Sequence, residues 1–569
     1  MRLTDLLLIL TILFILFWPF TPLRKRHPRW LDFVPTFAAV QVLAHLLLIG
    51  SPEPMKPVYL LAMLLFFLSL KQLLKPAPTH DKKRSWAGLS LAIVGRVLAL
   101  LLLVPSFQPN SLDSSELDLR RMGWAKAFDV MHAHLSQRYA FGEWKAIEWD
   151  ALYSEFAPRI AVAEANNDAN AYYLALREYA FSIPDGHIHL HGDDAASAFI
   201  NKLKAQAVGG GYGFALLELD DGRVIAHILL SDGPAAKAGM EWGAEILAWN
   251  GLPIENALDQ VSILWAELPH ATLEGQRLEK RRFLVRAPVG TEVEITYQNP
   301  SATTATTARL SALDDKLETL RRTQILNEEF DPFDPPVQGE ILPSGIGYLK
   351  ISVINVVPGS SNPIEDIKKA MQMFVEQEVA GIIIDVRGNI GGSDSMVPHM
   401  VDFFFNNEEL YEQAAYYNLR TDQFEISPRT RLFIKPDTPH YGGPVVVLID
   451  KGTISSGEGI AHAIQRLPQG TVIGTHGTYG SFGLTGGRIN LPAGYVLDFP
   501  TGQSLDANQS IQLDSDHTLQ GGVRPDLRAP LNKESAHAIY IEGRDVVLDF
   551  AVAFLQRRGE RGGRDLPLD

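Results

Sequence analysis

Two stretches of this chain share one grammar. "AGIIIDVRGNIGG" (380–392) and "GPVVVLIDKGTISSGEG" (443–459) each run through a short apolar strand and stop on a glycine-rich turn. A strand apolar on both faces must be covered on both faces, which is the habit of a parallel sheet. Around them, "NPIEDIKKAMQMFVEQEV", "SMVPHMVDFFF" and "EGIAHAIQRL" read as helices. With "IGYLKISVI" before and "GTVIGTHGTYGSFG" after, the alternation from Ile346 predicts an α/β unit with a largely parallel sheet. In such sheets ligands bind beyond the carboxyl ends of the strands, where both glycine turns fall.

The second turn carries adjacent serines, Ser455 and Ser456, followed by Glu458. A hydroxyl on a sharp turn that opens a helix can be presented to a substrate. The free backbone amides there can stabilise an oxyanion. Taken alone, Ser455 would equally serve as a helix N-cap.

The remainder of the 569 residues is polarised. Before Pro105 lie four apolar runs, 6–20, 33–50, 58–74 and 89–104, each near the ~20 residues that a membrane-crossing helix needs. The loop after the first run holds Arg24, Lys25, Arg26 and Arg29; the loop after the third holds Lys71, Lys75, Lys82, Lys83 and Arg84; the loop between has only Lys56. By the positive-inside rule both basic loops are cytoplasmic. The expectation is a four-helix membrane region over 1–106, a multi-pass (inner) cell-membrane location, and everything after Val104 on the extracytoplasmic side. Arg96 within the fourth run reads as a snorkelling side chain. The net charge of −15 argues against nucleic acid. The absence of cysteine excludes a thiol nucleophile, a thiolate metal site and any disulfide.

A polar linker (107–118) leads to helical text over 119–204, which contains "SIPDGHIHLHG". There His187 and His189 alternate with Ile188 and Leu190 and so share one strand face. The unit at 205–300 resembles a PDZ domain. It has a Gly211-Tyr212-Gly213-Phe214 loop, then "GPAAKAG", then "GAEILAWNG". Such a loop can cradle a peptide carboxylate while the peptide adds as a strand. A connecting segment (301–340), a catalytic core (341–530) and a helical tail (531–569) complete the expected organisation.

The core resembles the S41 serine peptidases, the carboxyl-terminal processing and tricorn-core family. "YLKIS", "GIIIDVRGNIGG", "LIDKGTISSGEGIAHAI", "VIGTHGTYG" and "LQGGVRPDL" match its segments in order. The resemblance implies a multi-domain fold. An α+β and α/β S41 peptidase fold, into which a mostly-β PDZ domain is inserted, follows the transmembrane bundle that the apolar runs predict and that the resemblance does not reach. The resemblance implies a serine endopeptidase with no cofactor; with the apolar runs, the expectation is a membrane-anchored enzyme acting on extracytoplasmic polypeptides. Ser455 becomes the nucleophile, and the amides of Ser456, Gly391 and Gly392 the oxyanion donors. The processing branch takes its base from a Lys in a "G-K-G" loop; here that loop reads "GTYGSFG", with Gly480 or Ser481 at the Lys position. The tricorn-like branch uses a His in a "D-G-H" segment, which here makes His187 the base and His189 the fallback. Its third member, a Glu, falls at about Gln520, with Asp514 and Asp516 as alternatives. Lys451 reads as an ordinary turn residue, His462 as structural, and His476 as a loop residue that could contact substrate. No metal is expected: a His187/His189 pair lacks a third ligand tied to it by motif. The missing Lys and the Gln at the Glu position leave a rival reading, a catalytically inactive, membrane-tethered peptide-binding sensor.

Overall fold

The structure is a computed structural model that describes residues 116–326, 335–357 and 359–560. The four apolar runs and the membrane region over 1–106 lie outside those residues. Among the described residues no helix is long and apolar enough to cross a membrane. The longest, Trp149–Ala165, has 17 residues and carries Asp150, Glu155, Arg159 and Glu164 along its length, short of the ~20 apolar residues required. The expected fold class is corrected accordingly. The described chain is an α/β core joined to an α+β layer, with a β domain inserted and no transmembrane bundle. The integral-membrane association expected from the sequence finds no support in it.

The core sheet runs in the order Val337–Ile341, Gly347–Ile351, Ile382–Asp385, Val445–Leu448, Gly470–Gly474, Leu527–Arg528. The first pair is antiparallel and the rest are parallel. Its two apolar faces are covered as the sequence demands. Helices Pro363–Glu376 and Ser456–Gln465 lie on one side and Val546–Glu560 on the other. Because Leu448 pairs with Asp385, the two glycine turns leave the sheet side by side.

A second sheet combines Glu116–Asp118, Leu484–Asn490, Tyr495–Leu505, Glu409–Asn418 and Gln423–Ile426, and His189–Gly192 pairs antiparallel with Tyr495–Leu505. Helices Trp124–Arg138, Trp149–Ala165 and Ala169–Phe181 pack on it through Phe128, Tyr172, Tyr173, Tyr179, Leu497 and Phe499. The segment expected to be a linker thus ends in a strand, Glu116–Asp118, held by Leu484–Asn490.

The inserted domain is a sheet ordered Thr306–Ser311, Glu292–Gln298, Glu245–Trp249, Val224–Leu229, Phe214–Glu218. Its last-named strand is an edge. The segment read as a connector therefore supplies a strand, Thr306–Ser311, to this sheet. From the C-terminal tail, Leu531 and Ala536 pack on Leu217, Leu219 and Ile225 of the insertion.

Candidate active site

The strand Val445–Leu448 delivers Ser455 to the N-terminus of helix Ser456–Gln465. Ser455 has φ 57° and ψ −134°, a backbone conformation that costs a non-glycine residue of order 1–3 kcal/mol and clusters at functional sites. From Lys451 to Ala461 every residue is buried except Ser455. Strain and selective exposure together offer its hydroxyl to the outside.

The turn from the neighbouring strand closes over it. Gly391 has φ 90°, and a Cβ there would come within 2.7 Å of Ser455 Cβ and 3.0 Å of the Ser456 amide, so only glycine fits. The Gly391 N–H donates to Asn389 Oδ1 at 2.8 Å. The amides of Ser456 and Gly392 make no hydrogen bond among the described residues, which leaves that pair as the open donors beside Ser455. Ser456 is fully buried, and its hydroxyl donates to Asp394 Oδ1 at 2.6 Å. It is a wall of the site. Burial pushes the Asp394 carboxyl up to about 6.

Glu458, three residues after Ser455, is fully buried. Its carboxylate accepts from Thr478 Oγ1 (2.5 Å) and from the amides of Gly480 (2.8 Å), Ser481 (3.1 Å) and Ser455 (3.2 Å). One side chain thereby fixes both the serine turn and the loop after strand Gly470–Gly474. Burial pushes it up to about 7, opposed by Thr478, the Gly480 and Ser481 amides and the nearby Lys451 charge.

That loop, "GTYGSFG", contains no Lys. Its buried Ser481 instead joins two distant segments. The Gly186 amide donates to Ser481 Oγ at 2.8 Å, and the Ser455 amide donates to Ser481 O at 3.1 Å. Gly186 also sits against Ile454 and Tyr479, so close that a Cβ would be 2.8 Å from Ile454 Cδ1 and 2.5 Å from Tyr479 Cε1. The "D-G-H" segment is therefore packed on the serine turn, with His187 the residue after Gly186.

The His187 side chain is 10% exposed. Its Nδ1 is buried without a hydrogen-bond partner, and the nearest carboxylate oxygen is Asp185 Oδ1 at 3.7 Å. Burial pushes the imidazole below 6.5; Asp185 opposes this and Lys145 reinforces it. Asp185 is fully buried, takes the Tyr139 hydroxyl on Oδ2 at 2.7 Å, and takes the His187 amide on Oδ1 at 2.9 Å.

The structure redistributes the third-member candidates. Gln520 is exposed, and its carbonyl accepts from Arg524 at 2.9 Å. Asp516 caps its own turn through Thr518. Asp514 is buried beside Lys145 Nζ (3.1 Å), with both side chains inaccessible, and takes the Phe482 amide at 2.8 Å. Burial pushes the Asp514 carboxyl up and Asp185 adds to this, while Lys145 pulls it down. Asp185 thus lies beside His187, Asp514 lies beyond it with Lys145, and Gln520 belongs to a surface network.

Lys451 is no ordinary turn residue. It is buried, with Nζ 2.6 Å from Thr478 O and 3.0 Å from Thr272 Oγ1. Thr272 N-caps helix Leu273–Leu284 of the insertion, whose Glu274 accepts the Gly477 amide at 2.9 Å. His462 is half-buried on its helix, and His476 is half-buried with Nδ1 3.0 Å from Thr475 Oγ1. In the insertion, Tyr212 and Phe214 are core residues packed on Trp249. Gly211 pairs with Arg286, and Gly213 O accepts the Leu230 amide at 2.8 Å.

Residues 345–529 match the model of Peptidase family S41. That segment is similar to the S41 serine-type peptidases. It is 26% identical over 350 residues to the carboxy-terminal processing protease CtpB of Bacillus subtilis, covering 58% of this chain and 63% of CtpB. It is 26% identical over 479 residues to the putative tricorn protease homolog 2 of Streptomyces coelicolor, covering 79% of this chain and 34% of that protein. The chain thus spans less than two thirds of either relative. The crystal structure of mature CPAF shares the fold, with a TM-score of 0.52 at 13% identity over 78% of this chain and 99% of that one.

Proposed function

We propose that this S41 protein is an endopeptidase that cleaves polypeptides through an acyl-enzyme on Ser455, with His187 as general base. The observation that carries the reading is the double hold of Ser481, which binds the amides of Gly186 and Ser455 and so keeps the histidine segment on the serine turn. Asp185 lies on the Nδ1 side of His187, which leaves Nε2 to take the Ser455 proton. The serine oxygen attacks the peptide carbonyl, and the charge that develops meets the amides of Ser456 and Gly392. His187 returns the proton to the leaving amine, and a water deprotonated by the same imidazole releases the acyl group.

The inserted domain acts in this reading as a PDZ-type receptor for a peptide terminus. Its edge strand Phe214–Glu218 lies opposite helix Leu273–Leu284, and Glu218 is held by Arg277 (2.6 Å) and Arg281. An extended peptide would pair with that edge and displace these arginines.

The test is cleavage of an unfolded protein substrate by the purified full chain, with products mapped by mass spectrometry. Internal cuts present in wild type and absent in Ser455→Ala support the reading. Cuts that persist in Ser455→Ala overturn it.

A further inference from the structure

The strand that follows the proposed base carries a second arrangement, on which the peptidase chemistry makes no demand. In His189–Gly192, Leu190 turns into the core and His189 and His191 turn the other way, as residues two apart on a strand must. Their rings lie 4.9 Å apart. On the neighbouring antiparallel strand, Asp498 sits directly opposite His189. One ligand atom from each of His189, His191 and Asp498 can be chosen so that all three lie within 4.8 Å of one another.

We infer that His189, His191 and Asp498 form a binding site for a divalent transition cation of the Zn2+ class. Imidazole nitrogen and carboxylate oxygen are the donors such ions take in water-accessible sites. Three ligands on two paired strands are held by the sheet itself, so little order is lost on binding. A tetrahedral Zn2+ site places its donors roughly 3.4 Å apart. His191 Nε2 is already 3.1 Å from Asp498 Oδ2, and His189 closes the remainder by a side-chain rotation on an exposed face. The His191 and Asp498 side chains are 33% and 28% exposed, which leaves the fourth position to water.

Asp498 also accepts from Arg488, at 2.7 Å on Oδ1 and 2.9 Å on Oδ2. Ligating carboxylates are commonly oriented by a further hydrogen bond of this kind. On metal binding, Arg488 keeps Oδ1 and gives up Oδ2. The cation then clamps His189–Gly192 to Tyr495–Leu505, directly after the segment that holds His187.

The experiment is titration of the tag-free full chain with Zn2+ against a chromophoric chelator, followed by Co2+ substitution and thermal unfolding with and without Zn2+. Wild type is expected to take up one equivalent of Zn2+. Its Co2+ form should show the visible bands of a tetrahedral site, and Zn2+ should raise its unfolding temperature. His189→Ala and Asp498→Asn should each weaken binding at least about tenfold and abolish the thermal shift, while His187→Asn leaves both intact. Each variant unfolding at the metal-free wild-type temperature shows that the loss is local. No uptake by wild type, or uptake unchanged in His189→Ala and Asp498→Asn, overturns the inference. So does uptake that depends on His187 instead.

Discussion

The Gly186 amide donates to the buried hydroxyl of Ser481 at 2.8 Å, nearly three hundred residues further along the chain. Because the Ser481 carbonyl also receives the Ser455 amide, this one residue joins the segment of His187 to the turn of Ser455. Ser481→Ala leaves a buried amide without a partner, a loss of about 1–3 kcal/mol. Where that loss falls on the active arrangement, kcat/KM drops about 5- to 100-fold. Steady-state kinetics beside a melting curve check it; wild-type kcat/KM in a folded Ser481→Ala protein would contradict the role.

The acidic limb of the pH–rate profile follows from His187. The imidazole must be neutral to act, and burial holds it below its ordinary 6.5. Activity should therefore stay on its plateau at pH 6.5 and fall only as the pH drops further, through the lowered value. A kcat/KM profile for a soluble peptide checks this, and an acidic limb centred above 6.5 would contradict it.

Glu458 predicts a different pH dependence, in stability. Its folded value of about 7 lies above the ordinary 4.5. Below 4.5 both folded and unfolded chains hold the proton, and the contribution is fully present. As the pH rises from 4.5 to about 7 the unfolded chain has released a proton that the folded chain retains, so stability is progressively lost. Glu458→Gln should flatten that part of the curve of unfolding temperature against pH. It should also lower kcat/KM by about 10- to 100-fold, since an amide oxygen cannot receive all four donors that hold the loop.

Lys145 and Asp514 form an inaccessible pair, and Lys145 Nζ also binds Ser515 O and Oγ at 2.8 Å each. Lys145→Met leaves the buried Asp514 carboxyl without its cation and should cost about 3–5 kcal/mol of stability. Chemical denaturation of wild type and variant measures it.

The core and its turns were legible because local rules decide them. Both-face apolar strands ending in glycine specify a parallel sheet with its turns on one side, which places the turns of Ser455 and Gly391 together, while the roles given to Ser455, Ser456, Gly391 and Gly392 come from the family resemblance. His187 was singled out through the resemblance of its "D-G-H" segment, and the structure packs that segment on the serine turn. What could not be read depends on contacts between remote segments. Gln520 falls near the family position by spacing, yet 506–526 is mostly irregular, so spacing there does not fix which side chain turns inward. Lys451 looks like any turn lysine until Thr272 of the insertion covers it. Asp498 becomes a partner of His189 only through the register of two strands, and no motif carries that register.

The central claim is that Ser455 is the nucleophile and His187 its base. The most direct measurement is labelling of the full chain with a fluorophosphonate probe, with the modified residue mapped by mass spectrometry. The account predicts a phosphonate on Ser455 in wild type and in Ser456→Ala, and none in Ser455→Ala or His187→Asn. Labelling on Ser456, or undiminished labelling of Ser455 in His187→Asn, would contradict it.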